Sequence, residues 1–141
     1  MLRAAIPLLL LASAAQAQGQ DGSWSGRMRC DPIPNMTSGQ LNAAFTMTVS
    51  GGVARYSREV QTTSGQISGR PETGQGRVGA DGSVALEGGA SPSGANSWAY
   101  TARYAGRIAG DTLTLQGTQE GTVRTVPHRR PCTISLRRSV N

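Results

Sequence analysis

The sequence predicts an all-β protein, a small antiparallel up-and-down β-barrel of about eight strands whose first and last strands are joined by a disulfide. Three observations lead there. Apolar residues alternate at period two in short runs punctuated by glycine, proline and Asp-Gly turn signals. Two cysteines, Cys30 and Cys132, fall on the apolar faces of an early and a late run. An even number of antiparallel strands joined in order brings the first and last together, which a bond between those cysteines requires. A two-sheet β-sandwich is the alternative architecture.

Residues 1–17 read as a secretory signal: Arg3 supplies the positive charge, residues 4–14 are apolar, and Ala15-Gln16-Ala17 is a small-x-small cleavage site. The apolar run falls short of the roughly 18 residues a membrane span needs, and no cysteine follows the site for lipid attachment. Residues 18–141 are therefore expected to form a single domain, periplasmic or secreted, with no transmembrane segment. In an oxidising compartment two cysteines pair with each other, and two alone cannot complete a four-ligand zinc site.

Glycine is 19 of 141 residues and charged residues are only 16%. Disorder would show high charge without alternating apolar positions, so these figures favour a glycine-rich sheet. The formal net charge is +6, and every basic residue is arginine.

The first strand, residues 23–30, places Trp24, Gly26, Met28 and Cys30 on one face and Ser23, Ser25, Arg27 and Arg29 on the other. Pro32 and Pro34 make residues 31–39 a loop, which also carries the sequon pattern Asn35-Met36-Thr37. Residues 41–50 alternate most clearly, with Leu41, Ala43, Phe45, Met47 and Val49 on one face, and Gly51-Gly52 turns the chain back. The return, residues 53–61, carries Ala54, Tyr56, Arg58 and Val60 on its apolar face. Residues 62–79 are rich in glycine, and an irregular or bulged fourth strand fits best at 72–78.

Asp81-Gly82 turns into a strand at 83–88, with Val84 and Leu86 inward, and a Gly/Ser/Pro loop follows at 88–96. Residues 97–108 place Trp98, Tyr100, Ala102, Tyr104, Gly106 and Ile108 on one face, and 112–119 return with Leu113 and Leu115 inward. Residues 121–130, with Pro127, read as a polar crossing before the last strand at 131–137, where Cys132, Ile134 and Leu136 share a face. A Gly-Arg-aliphatic hairpin pattern recurs at 76–88 and 106–117, too sparse for a solenoid.

If Cys30 opposes Cys132, then Met28 faces Ile134, Gly26 faces Leu136, and Trp24 meets Arg138 within cation–π reach. As architecture the pattern resembles the small exported β-barrels of the lipocalin and avidin kind, though no lipocalin or biotin-binding residue motif accompanies it.

No catalytic, metal or cofactor motif stands out, and the expectation is a non-enzymatic protein. All six aromatics take the inward phase, as a ligand cup or simply as core filling. Arg58 breaks the apolar face. It would bind an anionic group, pair with an acid such as Glu59 or Glu87, or be flipped outward by a bulge. Tyr56, Arg58, Trp98 and Tyr100 are the candidate ligand residues. His128, the single histidine, has arginine neighbours and nothing to orient it as a base.

From residue 121 onward there are five arginines (Arg124, Arg129, Arg130, Arg137 and Arg138) and no acid. This suits an anionic cell-envelope surface or a solvated edge, and without interleaved aromatics it does not suit nucleic acid. The expected role is binding a small apolar or anionic ligand. The alternative is a protein-interaction or inhibitor module acting through the loops at 30–40 or 88–96. A monomer is expected.

Overall fold

The computed structural model describes residues 19–34, 39–61, 70–91, 98–123 and 125–139, with the side chains of residues 98 and 123 outside that set. The signal-like segment and the sequon fall outside the described residues. Eight strands form in chain order: β1 (Gly22–Cys30), β2 (Leu41–Ser50), β3 (Val53–Arg58), β4 (Glu72–Val78), β5 (Ser83–Ala90), β6 (Trp98–Ala109), β7 (Thr112–Val123) and β8 (Val126–Arg138). Each pairs antiparallel with the next and β8 returns to β1, giving a closed up-and-down barrel rather than a sandwich.

The closing seam has the register expected from the cysteines. Cys30 opposes Cys132, Met28 opposes Ile134, Gly26 opposes Leu136 and Trp24 opposes Arg138. The disulfide joins a directly opposed pair whose Cα atoms lie 4.1 Å apart. Gly26 shows why a small residue stands there, since a Cβ would sit 1.9 Å from the Ser135 carbonyl oxygen. The strands approach too closely for any side chain, and Leu136 fills the space instead.

Turn chemistry sets the two ends of the barrel. Gly51 and Gly52 both hold positive φ in the two-residue β2–β3 hairpin, as the twist of such turns demands. The turns at 79–82 and 110–111 lie at the same end, where β1 starts and β8 finishes. This hairpin end is sealed by Trp24, fully buried, whose Nε1 donates to the Gln20 carbonyl at 3.1 Å. Arg138 stacks over the Trp24 ring at 5.8 Å and pairs with Asp111 at 2.8 Å. Above the tryptophan, Met28, Met47, Leu115 and Ile134 are fully buried, and Phe45 packs on Tyr56 and edge-on to Tyr104. Side chains fill this part of the barrel.

The opposite, loop end receives the longer connections, 31–40, 59–71 and 91–97. Here the last two strands differ from expectation. Residues 121–130 are not a crossing: β7 and β8 continue as a ladder from Thr112↔Arg137 to Val123↔Val126. Prolines within β8 are tolerated because of the side they face. The Pro131 carbonyl accepts from Asp31 N at 3.1 Å, so its missing N–H also lies on the β1 side and costs β7 nothing. Pro127 keeps the same phase beyond the end of β1.

No helix among the described residues is long and apolar enough to cross a membrane. The disulfide fits an oxidising compartment.

Candidate functional site

Beneath the loop end, the apolar filling gives way to a polar cluster centred on Glu72. This residue begins β4 directly opposite Arg58, the last residue of β3. Its side chain is fully buried, and it is the one buried acid among the described residues. Alternation explains the placement: Val78 points inward, so Gly76, Gly74 and Glu72 take the same phase.

Five side chains donate to the Glu72 carboxylate. Oε1 accepts from Arg58 Nε at 3.1 Å and Nη2 at 2.9 Å, from Tyr100 Oη at 2.6 Å and from Gln119 Nε2 at 3.2 Å. Oε2 accepts from Tyr56 Oη at 2.8 Å and Tyr104 Oη at 3.0 Å. Directions around the ring are consistent. Tyr100 accepts from Arg58 Nη2 at 3.1 Å while donating to Glu72, and Tyr104 accepts from Gln119 Nε2 at 3.0 Å while donating to Glu72. With its nitrogen committed twice, the Gln119 amide turns its oxygen to Arg130 Nε, 2.9 Å away.

The electrostatics follow from burial and this single acid. Burial opposes the charge of Arg58, but the adjacent Glu72 carboxylate outweighs it and holds the guanidinium pKa above its ordinary value. Tyr56, Tyr100 and Tyr104 are all pushed well above the ordinary phenol range, first by burial and then by the Glu72 charge. Arg130 moves the other way: burial lowers its pKa, and Arg58 is near enough to lower it further. His128, two residues before Arg130 on the same face of β8, is lowered by burial and by the Arg130 charge. Its Nδ1 is buried with no hydrogen-bond partner among the described residues.

Three sequence-level candidates therefore meet here: Tyr56, Arg58 and Tyr100. Trp98 opens β6, but its side chain lies outside the described residues. The acids expected to partner Arg58 are not the ones that do. Glu59 offers only its backbone carbonyl, at 3.3 Å from Nη1, and Glu87 pairs with Arg103 on the outer surface at 3.7 Å. Both side chains take the outward phase, beyond reach of the interior. No bulge turns Arg58 away, and it stays buried.

Glu72, Gln119, Arg130 and His128 were missing from the expected set. Glu72 and Gln119 are in phase with Val78 and Leu115, but glycines intervene at 74, 76 and 117, and the alternation goes silent there. Extending the phase through those glycines would have found both.

A hollow of about 720 Å³ lies near the loop end on the outer wall, lined by the outward-phase Thr73, Ala99, Thr101 and Glu120 with Ala90, Tyr100 and Gly121, and of the cluster only Tyr100 borders it. His128 stands opposite Gly121 on the neighbouring strand. Among the described residues no three His, Cys, Asp or Glu side chains converge as a metal site. Comparisons with protein-family models, curated proteins and solved structures find no match.

Proposed function

We propose that this chain is a non-enzymatic, exported β-barrel, monomeric in the periplasm or secreted, that binds a small organic anion at its loop end. One observation carries the reading, the state of Arg130. Glu72 is saturated by its five donors, so its charge is spent on Arg58. Arg130 holds Gln119 through Nε alone, and its Nη atoms bond to no described residue. It is half-buried beside a second guanidinium and an imidazole with an unpaired Nδ1. A guanidinium so placed matches a carboxylate or phosphate group in a two-pronged contact.

Arg58, the sharper candidate in sequence, becomes a support in this reading. It neutralises and fixes Glu72, while Arg130 makes the contact. Benzoate and its neutral analogue benzamide, titrated into labelled protein, test the idea by NMR. Benzoate is expected to shift the Arg130 Nε, His128 and Tyr100 resonances, and benzamide is not. Arg130→Gln should weaken benzoate at least about tenfold, as loss of a charged contact does, while the outward neighbour Arg129→Gln should leave it unchanged. Equal loss in both variants, or no response to any small anion, overturns the assignment.

A second reading rests on another observation: the three long connections all emerge at the loop end. Such a cluster suits a protein-interaction or inhibitor module acting through loops carried on a rigid scaffold. It stands if the anion titration fails.

A further inference from the structure

The outer surface divides its charges unevenly. Across β5 to β8, acids and arginines pair off: Arg103 with Glu87 at 3.7 Å, Arg107 with Asp81 at 3.8 Å, Arg129 with Glu120 at 2.9 Å and Arg138 with Asp111 at 2.8 Å. The β1–β8 seam has no such balance. Arg27 and Arg29 point outward from β1, and Arg137 points outward from β8. Arg29 and Arg137 make no ion pair or side-chain hydrogen bond among the described residues, and Arg27 holds only neutral Asn42, Nε to Oδ1 at 2.9 Å.

Register arranges these three in a line. Arg29 lies opposite Thr133, Arg27 opposite Ser135, and Arg137 opposite Ser25. Along the seam the arginines therefore step by two residues each, about 6.7 Å at the rise of an antiparallel strand. They lie along an outer groove of about 940 Å³, which is also lined by Ser25, Thr114, Thr133 and Ser135 and ends at Asp31.

We propose that this groove binds a linear anionic polysaccharide, one that presents carboxylate or sulfate groups along a hydroxylated chain. A row of guanidiniums matches a row of fixed anions, and the flanking Ser and Thr hydroxyls match the sugar hydroxyls between them. A lipid surface fits less well. The one exposed large hydrophobic among the described residues, Val126, lies away at the loop end, so the groove lacks the apolar or aromatic anchors of bilayer interfaces. Single-stranded nucleic acid fits less well because no aromatic platform stands on the seam. The groove is on the outer wall and is independent of the anion site inside.

Calorimetric titration with a heparin octasaccharide over a range of salt tests the proposal. Binding is expected, with affinity falling steadily as salt rises through release of counterions. Arg29→Ser/Arg137→Ser should weaken it at least about tenfold with an unchanged melting temperature, both positions being exposed. Arg55→Ser/Arg77→Ser, which removes outward arginines from β3 and β4, should stay within about twofold, since charges off the groove are screened. Arg130→Gln should have no effect, which separates this site from the interior one. Equal losses in the two double variants would show diffuse charge in place of a groove. Tighter binding to phosphatidylglycerol vesicles or to a single-stranded oligonucleotide than to the octasaccharide would overturn the choice of ligand.

Discussion

Taking a carboxylate out of water costs several kcal/mol even after relaxation, and a lone buried guanidinium is no cheaper. Glu72 and Arg58 are held in the barrel because each satisfies the other and the phenols and amide complete the remaining positions. Removing both partners should therefore cost less than the sum of the two single losses. Arg58→Met and Glu72→Gln are each expected to destabilise by about 3–5 kcal/mol in urea unfolding. The double variant should fall short of their sum by about 1–3 kcal/mol, and strict additivity would show that the two do not act as a pair. The phenols supply an optical test, because the chain has three tyrosines and all three bind Glu72. Their raised pKa values mean that the folded state keeps protons the unfolded chain loses above about pH 10. Their contribution to stability is thus complete below that pH and is lost as pH rises beyond it. Tyrosinate absorbance near 295 nm should stay flat through pH 10 and then appear together with unfolding. An independent rise in folded protein would contradict the buried cluster.

Strands were legible where alternation was carried by large side chains and silent where it was carried by glycine. Trp24, Met28 and Cys30 against Ile134 and Leu136 fixed a register that the seam reproduces pair by pair. In β4, Glu72 is linked to Val78 only through two glycines, so no side chain between them carries the phase that marks it as inward. In β8, Pro127 and Pro131 look like breaks, and only the edge geometry reveals that they face away from β7. The inward placement of His128 and Arg130 was hidden with them. At this scale the disulfide makes a separate prediction. It spans a separation of 102 residues, which in a chain-entropy treatment corresponds to about 4–5 kcal/mol. Reduction, or Cys30→Ala/Cys132→Ala, should lower the melting temperature by roughly 10–20 °C, while the β1–β8 hydrogen bonds keep the barrel closed. A midpoint unmoved by reduction would refute this.

Across the whole molecule, the barrel divides into a sealed hairpin end and a polar loop end, and the single histidine stands at the polar end. His128 titrates there, and its pKa is lowered by burial and by Arg130. A lowered histidine pKa favours the fold at pH values above the unfolded value of about 6.5 and withdraws that support as pH falls below it. Wild-type protein should therefore lose stability as pH falls below about 6.5 more steeply than His128→Gln, and the imidazole midpoint by NMR should lie below 6.5. Parallel stability profiles for the two proteins would exclude His128 as the group responsible.

The seam also has a consequence for chain connectivity. Beside Trp24, the Ser139 amide donates to the Ser23 carbonyl at 2.8 Å, so the described ends of the chain already touch. Viewed by contacts alone, the protein is a ring of eight antiparallel strand pairs with no privileged starting point. A short linker across those ends, with new termini cut at Gly51-Gly52, should yield a circular permutant of the same fold. In that chain the two cysteines would be separated by only roughly 20 residues, and the shorter loop should reduce the stabilisation from the crosslink by about 1.5 kcal/mol. The permutant should thus be less sensitive to reduction than the natural order, though every atom of the bond sits in the same place.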